Sequence, residues 1–111
     1  MTPELKSKWC KILRDPSTVQ THNRYFGFVT GSVCAFGGLM KAAGMGLAEV
    51  PRSFDTAPEW RRLHEKLGIH YNQARVVLTM NDLECKTLPE IADFVESPAW
   101  DQLAWDQLAD I

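Results

Sequence analysis

Four helix-start signals constrain the fold of this chain more than any other feature of its sequence. In each, a threonine or serine is followed within two residues by a proline, at Thr2-Pro3, Thr56-Ala57-Pro58, Thr87-Leu88-Pro89 and Ser97-Pro98. The hydroxyl accepts a hydrogen bond from a free N–H group at the helix start, and a proline in the first turn loses no hydrogen bond. Thr56 and Thr87 are each followed three residues later by a glutamate, which completes a capping box. These signals predict four helices.

The apolar residues that follow the four signals recur at the spacing of one helix face. They are Leu5, Trp9, Ile12 and Leu13 after the first signal, Trp60, Leu63 and Leu67 after the second, Leu88, Ile91, Ala92 and Val95 after the third, and Trp100, Leu103, Leu108 and Ile111 after the fourth. Residues three, four or seven apart lie on the same side of an α-helix, so each set predicts one buried stripe. Asp15-Pro16 ends the first helix and Gly68 the second.

A further helix is predicted over roughly 32–43, where the residues are apolar nearly all round. Such a helix lies in the middle of a core. Ser32 is its predicted N-cap, and Gly44 ends it in the position that most often takes a left-handed conformation. Gly37 and Gly38 have low helix propensity. Because they carry no side chain, we expect a neighbouring backbone to approach the helix closely at this point.

Two other segments are less regular. Residues 71–80 fit a strand by propensity and a helix by spacing equally well. The β-branched and aromatic residues of 18–30 predict a small β-hairpin. With 111 residues, the chain can bury one core but not two. We therefore predict a mainly α, single compact domain over 1–111, with five or six short helices.

The cysteines and the apolar runs indicate the cellular compartment. Cys10, Cys34 and Cys85 are an odd number and form no Cys-x-x-Cys pair. The first ten residues lack the apolar core of a secretory signal, and the longest uncharged run, after Arg24, covers sixteen residues with four glycines. A membrane span needs about 20 mainly apolar residues. We therefore expect a cytoplasmic protein with reduced thiols and no membrane attachment.

Three stretches of the chain form a further pattern. They are Trp9-Cys10-Lys11-Ile12-Leu13-Arg14-Asp15 with Gln20, then Val33-Cys34-Ala35-Phe36-Gly37-Gly38-Leu39-Met40, and finally Met80-Asn81-Asp82 with Lys86-Thr87-Leu88-Pro89-Glu90-Ile91-Ala92-Asp93-Phe94-Val95-Glu96. Together they resemble a family of small, uncharacterised bacterial and phage proteins. Members of that family have a Trp-x-x-Ala-Leu-Arg-Ser-Gly helix followed by Gln, a Cys-Cys-Leu-Gly-Val-Leu-Cys-Asp helix, and a Leu-Asn-Asp ending with Ser-Phe-x-Glu-Ile-Ala-Asp-x-Ile-Glu.

The resemblance covers about residues 8–96, and two departures stand out. One cysteine of the family's cysteine-rich helix remains, and the glycine that follows Asn-Asp is missing. The resemblance implies a helix at 71–80 and a phage or prophage origin. It implies no activity.

A cysteine-dependent enzyme is one functional hypothesis. Such an enzyme needs a thiolate near a helix start, a histidine base and an orienting amide or carboxylate. Cys34 would supply the thiolate, His64 (alternatively His22 or His70) the base, and Asn81 or Asp82 the orienting group. The competing interpretation is a small hydrophobic cysteine in the core, because Cys34 lies in the most apolar segment of the chain.

Metal and cofactor sites are not expected. The three cysteines and three histidines are scattered singly, whereas structural zinc prefers ligand pairs two to four residues apart. The Gly37-Gly38 and Gly44-Met45-Gly46 segments lack the preceding strand and following lysine of a phosphate-binding loop. The sequence therefore predicts neither a bound metal nor a cofactor.

Charge is distributed unevenly along the chain, although the net charge is only −2. Residues 1–52 carry seven basic and three acidic side chains, whereas 81–111 carry eight acidic side chains and one basic, Lys86. The helix-turn-helix-like segment 69–96 is therefore expected not to bind DNA, since its second helix would be repelled by phosphates.

The acidic, tryptophan-bearing C-terminal third is the main candidate for function. Carboxylates steer a basic partner, and an exposed tryptophan can anchor it. The predicted partner-binding residues are Trp100, Asp101, Trp105, Asp106 and Asp110. The competing interpretation is that the tryptophans pack in the core and the carboxylates keep the protein soluble. The leading hypothesis is a non-enzymatic module that binds a basic host protein, and inhibition of that protein is one outcome of such binding. A third hypothesis is a homodimer formed through the C-terminal helix.

Overall fold

The computed structural model describes residues 1–22, 32–45 and 57–109, with the backbone alone at 57–60 and 105–109. The described residues form six helices and are mainly helical, as the sequence predicts. The helices are α1 (Pro3–Arg14), α2 (Ala35–Ala42), α3 (Ala57–Leu67), α4 (Tyr71–Asp82), α5 (Leu88–Val95) and α6 (Pro98–Ala109). They pack into one globule whose radius of gyration is 13.0 Å. Helix α1 packs against both α2 and α5, and α4 packs against α2, α5 and α6.

Helix α1 begins and ends where its sequence signals place it. The Thr2 hydroxyl accepts a hydrogen bond from the Leu5 N–H at 3.1 Å, and Pro3 occupies the first turn. The helix ends before Asp15, whose carboxylate instead accepts hydrogen bonds from the Ser17 backbone and hydroxyl. Trp9 and Leu13 of the predicted stripe are buried. Local capping chemistry therefore fixes both ends of this helix.

Helix α2 lies in the core as predicted, but its start differs from the prediction. The N-cap is Cys34, whose Sγ accepts a hydrogen bond from the Gly37 N–H at 3.3 Å, and not Ser32. The reason is that Val33 is extended: its N–H donates to the Val19 carbonyl at 2.9 Å, and its own carbonyl accepts from the Thr21 N–H at 2.9 Å. A residue held in this way cannot begin a helix.

The end of α2 and its glycines give one confirmation and one correction. Gly44 has a φ of +71°, and the bonds from Gly44 N to Lys41 O and from Met45 N to Met40 O complete a Schellman motif. A Cβ at Gly38 would lie 3.4 Å from Leu13 Cδ2, and its other nearest described neighbours are also side-chain atoms of α1. Close approach by a backbone is therefore not what the structure shows at Gly38.

The predicted hairpin near 18–30 lies partly outside the described residues, because 23–31 are not described. Within the described part, strand-type pairing consists of an isolated parallel bridge between Gln20 and Val33. This bridge brings Gln20 beside the start of α2. Residues 71–80, which fit both a helix and a strand by pattern, are helical throughout.

The described side chains of α5 and α3 lie where their sequence signals predict. At α5 the complete capping box is present, with Thr87 Oγ1 accepting from Glu90 N at 3.3 Å and Glu90 Oε1 accepting from Thr87 N at 3.0 Å. Its predicted inward residues, Leu88, Ile91, Ala92 and Val95, are all buried. Leu63 and Leu67 of α3 are buried as well, and the chain leaves that helix through Gly68 at φ +67°. Thr56, Leu108 and Ile111 belong to predicted features that lie outside the described residues or side chains.

Aromatic packing joins the two ends of the described chain. Trp9 and Trp100 meet edge to face with ring centroids 5.5 Å apart, and Phe94 packs edge-on against Trp100 at 6.3 Å. The Trp9 indole N–H also donates to the Ala35 carbonyl at 2.8 Å. Helix α6 is thereby packed onto α1 and α5. In the described part of the chain, no helix is both long and apolar enough to cross a membrane.

Candidate functional site

A fully buried amide, that of Asn81, links three distant parts of the chain. Its Oδ1 accepts from the Ala35 N–H at 3.0 Å and from Gln20 Nε2 at 2.9 Å. Its Nδ2 donates to the Thr21 carbonyl at 3.0 Å and to the neighbouring Asp82 carboxylate at 2.7 Å. The side chain of Asn81 is 0% exposed. With four hydrogen bonds, this amide uses its full capacity for structure.

Gln20 and Gln73 extend this internal bonding. Gln20 Nε2 also donates to the Lys86 carbonyl at 2.8 Å, which holds the turn before α5. Gln73 accepts from the His70 N–H at the start of α4 and donates to the Trp100 carbonyl, both at 2.9 Å. In the described residues, every buried side-chain nitrogen and oxygen has a hydrogen-bond partner. The buried polar groups are therefore occupied in holding the helices together.

Cys34 lies close to Asn81 and Asp82, as the cysteine-enzyme hypothesis requires. The pKa of the Cys34 thiol is raised to about 11, mainly by burial and to a smaller extent by the Asp82 charge, although hydrogen bonds from the Gly37 and Phe36 backbone oppose the rise. Asn81 is committed to Ala35 and Gln20 rather than aimed at a base. Near neutral pH a thiol with that pKa is almost entirely protonated, and only the thiolate is a nucleophile.

The histidine of that hypothesis lies at the junction of α3 and α4. His64 Nδ1 donates to the Ile69 carbonyl at 2.9 Å, and its ring lies 5.0 Å from that of His70. Burial, followed by the nearby His64, lowers the pKa of His70. The Ile69 carbonyl and the paired rings account for the position of His64 without a role for Cys34.

The other two cysteines differ sharply in exposure. Cys10 is buried, and burial with a hydrogen bond to Glu96 raises the pKa of its thiol to about 11. Cys85 is exposed in the turn after α4, where its φ is +52°. The described residues contain no group of three or more histidine, cysteine, aspartate or glutamate side chains arranged to hold a metal ion.

An exposed cluster joins the basic first helix to the acidic fifth. The Arg14 guanidinium donates to the Asp93 carboxylate at 2.8 Å and to the Glu96 carboxylate. The hydrogen bond from Arg14 lowers the pKa of Glu96. The ion pairs between α1 and α5 therefore neutralise, within one chain, part of the charge asymmetry seen in the sequence.

Four exposed carboxylates lie on α5, at its C-cap and in the first turn of α6: Glu90, Asp93, Glu96 and Asp101, of which Asp93 and Glu96 are paired with Arg14. We refer to these four carboxylates as the acidic surface. No lysine, arginine or histidine occurs after Lys86, so no basic residue lies between these carboxylates in the sequence. Asp101 also lines a cavity of about 330 Å³ together with Lys6 and His70.

The predicted partner-binding residues have different outcomes. Trp100 is only 2% exposed and packs against Trp9, so the prediction that it is a surface anchor is wrong. Asp101 is exposed, as docking would require. The side chains of Trp105 and Asp106 and the whole of Asp110 lie outside what the structure describes.

Sequence reasoning missed the central role of Asn81. The signal was present, because Asn81 follows Ala74 and Val77 on the buried stripe of α4, where a polar residue must find internal partners. The partners themselves, Gln20 and Ala35, are 61 and 46 residues away in the chain. No local pattern identifies them.

Comparison of the chain with protein-family models, with curated proteins and with solved structures gave no match. We therefore infer function from the residues themselves.

Proposed function

We propose that this chain is a non-enzymatic interaction module, of phage or other mobile-element origin, that binds and inhibits a host protein with a basic surface in the host cytoplasm. Docking occurs on the acidic surface. Asp106 and Asp110 continue the same charge pattern along the sequence. No direct contact with DNA is expected, because phosphates would meet carboxylates there.

The observation that carries this proposal is the contrast between the two sides of α5. Its inward side chains are all core residues, and its outward side chains include Glu90, Asp93 and Glu96. Asp93 keeps 75% of its side chain exposed even while it pairs with Arg14. Charges held at a solvated surface attract an oppositely charged partner over roughly a Debye length, about 8–10 Å at moderate salt.

The buried thiols argue for a binding module over a thiol enzyme. Cys34 and Cys10 both have a raised pKa and lie in the core, and the buried Asn81 is used for structure. A thiol enzyme centred on Cys34 requires that substrate can reach this nucleophile. An interaction module requires only a stable fold and an exposed surface.

Charge reversal tests the proposal. Partners are captured on immobilised protein from a lysate of the host bacterium and identified by mass spectrometry, first with the wild type and then with the double variant Asp93→Lys, Asp101→Lys. The matched control is Glu4→Lys, Glu65→Lys, which makes the same change in net charge on α1 and α3. We expect the acidic-surface variant to lose the partner and the control to keep it.

Salt gives an independent measure of the same contact. Affinity for the captured partner, once purified, should fall as ionic strength rises, because exposed charge pairs are screened. Equal capture by the wild type and by the acidic-surface variant would contradict the proposal. So would an affinity that does not respond to salt.

A further inference from the structure

One side of α4 is left partly exposed by the packing of the six helices. A groove of about 380 Å³ runs along it and is lined by Asn72, Arg75, Val76, Thr79, Met80, Glu84 and, from α6, Leu103. Leu83, at the end of the same helix, is 78% exposed, the largest exposure of any large hydrophobic residue in the described part of the chain. We call the set Arg75, Val76, Thr79, Met80, Leu83 and Glu84 the α4 stripe.

The order of residues in the α4 stripe has a twofold character. Suppose that two α4 helices pack antiparallel about a twofold axis between Thr79 and Met80. Each residue of one copy then faces the residue of the other copy that lies equally far on the opposite side of the axis in the sequence. Arg75 of one copy then faces Glu84 of the other, Val76 faces Leu83, and Thr79 faces Met80. Each facing pair is chemically compatible: one pairs opposite charges, one pairs two apolar side chains, and the central one packs around the axis.

The backbone permits this register. α4 is helical from Tyr71 to Asp82, and Leu83 keeps a right-handed helical conformation at φ −102° and ψ −42°. Arg75 lies in the second turn of α4 and Glu84 just past its end, where the Glu84 N–H donates to the Thr79 carbonyl at 3.0 Å, so the two charges lie at opposite ends of the stripe. The same arrangement recurs in the opposite direction in a second copy, so both charge pairs form at once. An interface of this kind is isologous and closes on itself.

The opposite charges at the two ends of the groove, Arg75 and Glu84, indicate what kind of partner can bind there. Arg75 is held over the Tyr71 ring, 5.6 Å from its centroid, and donates to the Tyr71 hydroxyl at 3.2 Å. A guanidinium has five N–H donors, so it can also bind a carboxylate. Glu84 is exposed at the other end of the groove and forms no ion pair with the described residues. A uniformly basic or uniformly acidic partner would place like charges together at one of these ends.

We propose that a second copy of this chain packs on the α4 stripe, so that the protein forms an antiparallel, twofold-symmetric dimer through α4. The dimer buries Leu83 and places each Arg75 against the Glu84 of the other copy. This contact is separate from the acidic surface and does not depend on the proposed function. Because each copy contributes essentially one helix to this contact, we expect a weak dimer that forms and dissociates with concentration.

Charge swapping tests both the dimer and its register. The full chain is examined by sedimentation velocity from about 1 to about 500 µM, as the wild type, as Arg75→Glu, as Glu84→Arg and as the double variant carrying both changes. We expect concentration-dependent dimerisation of the wild type. Each single reversal should weaken dimerisation by about tenfold or more, because it opposes like charges at both ends of the interface. The double variant should restore it.

Two controls separate this interface from other effects. Glu65→Arg on α3 changes the net charge by the same amount as Glu84→Arg and should leave dimerisation unchanged. Leu83→Ser should weaken dimerisation and leave the circular dichroism spectrum and melting temperature close to those of the wild type, because the side chain is exposed in the monomer. A wild type that stays monomeric over the whole range overturns the proposal. A dimer that persists in both single reversals, or a double variant that fails to recover, overturns it equally.

Discussion

Two polar contacts join distant parts of this chain, one buried around Asn81 and one exposed around Arg14. The Asn81 amide joins α4 to the start of α2 and to the segment that holds Gln20. The Arg14 guanidinium joins α1 to α5 through Asp93 and Glu96. The side chain of Asn81 has no contact with solvent, whereas that of Arg14 is 40% exposed.

The two contacts differ in what replaces them when they are lost. Water can bond every group of the Arg14 cluster once a partner is removed, and dissolved salt screens the charges. The Ala35 N–H that bonds Asn81 is buried, and the bonds to Gln20 and Thr21 are partly buried, so these groups would carry much of the cost of desolvation once Asn81 is lost. We therefore expect the structural importance of a contact in this molecule to follow its burial rather than its charge.

Replacement of Asn81 by alanine should produce the largest effect. The change leaves the Ala35 N–H and the Thr21 carbonyl without their partner, and it empties the space of an amide. We expect the free energy of unfolding to fall by about 3 to 5 kcal/mol, measured by urea denaturation. A loss of less than about 1 kcal/mol would show that buried hydrogen bonds are not what distinguishes the two contacts.

Thiol reactivity should show the same contrast between interior and surface. In the native protein, Cys85 should react rapidly with a chromogenic disulfide reagent, because it is exposed. Cys10 and Cys34 should react slower by about a hundredfold or more, since they are buried and their pKa is raised. In denaturant all three thiols should react. Rapid native reaction at Cys34 would contradict the argument against a thiol enzyme.

A Gly38→Ala change should have a smaller effect, of opposite sign. A Cβ there would make ordinary contacts, the closest at 3.4 Å from Leu13 Cδ2, and alanine has the higher helix propensity. We expect a gain in stability of about 0.5 to 1 kcal/mol in thermal unfolding. Gly38→Leu is the matched test of crowding and should destabilise the protein, because the α1 side chains leave no room for a larger group.

The smallest effect is expected for Arg14→Ala, and pH should control it. Arg14 lowers the pKa of Glu96 below its ordinary value of 4.5, so the folded state holds this proton less tightly than the unfolded chain. The stabilisation is therefore present above that value and is lost as the pH falls through the lowered pKa.

Melting temperatures of the wild type and Arg14→Ala measure that dependence. The two proteins should differ slightly at about pH 7 in low salt and converge at about pH 3. They should also converge at high salt. A difference as large as that of the Asn81 variant, or one that grows as the pH falls, would contradict the comparison of the two contacts.

The sequence predicts the helices well because their signals are local. Thr2 and Thr87 cap helices within three residues of themselves, and no distant part of the chain is needed to recognise them. The predicted N-cap of α2, Ser32, is wrong because the strand-type pairing of Val33 with 19–21 is a long-range contact. The ambiguity of 71–80 is resolved in favour of a helix by the packing of α4 against three other helices.

The candidate site was predictable in its charge and not in its geometry. Composition shows that the end of the chain is acidic, but the partner of Asp93 lies 79 residues away at Arg14. Trp100 could not be assigned to the core or the surface from its spacing, since its burial depends on Trp9 and Phe94. These contacts are made between different helices, and no local pattern in the sequence specifies them.

One capture experiment tests most directly the claim that the interior of this protein serves its fold and its acidic surface binds a partner. Host protein is captured in parallel on the wild type, on Cys34→Ser, and on Asp93→Lys, Asp101→Lys. Serine keeps an acceptor for the Gly37 N–H but removes the thiol. We expect Cys34→Ser to capture the wild-type partner in full and the acidic-surface variant to lose it. Loss of the partner with Cys34→Ser, together with full capture by the acidic-surface variant, would contradict the claim.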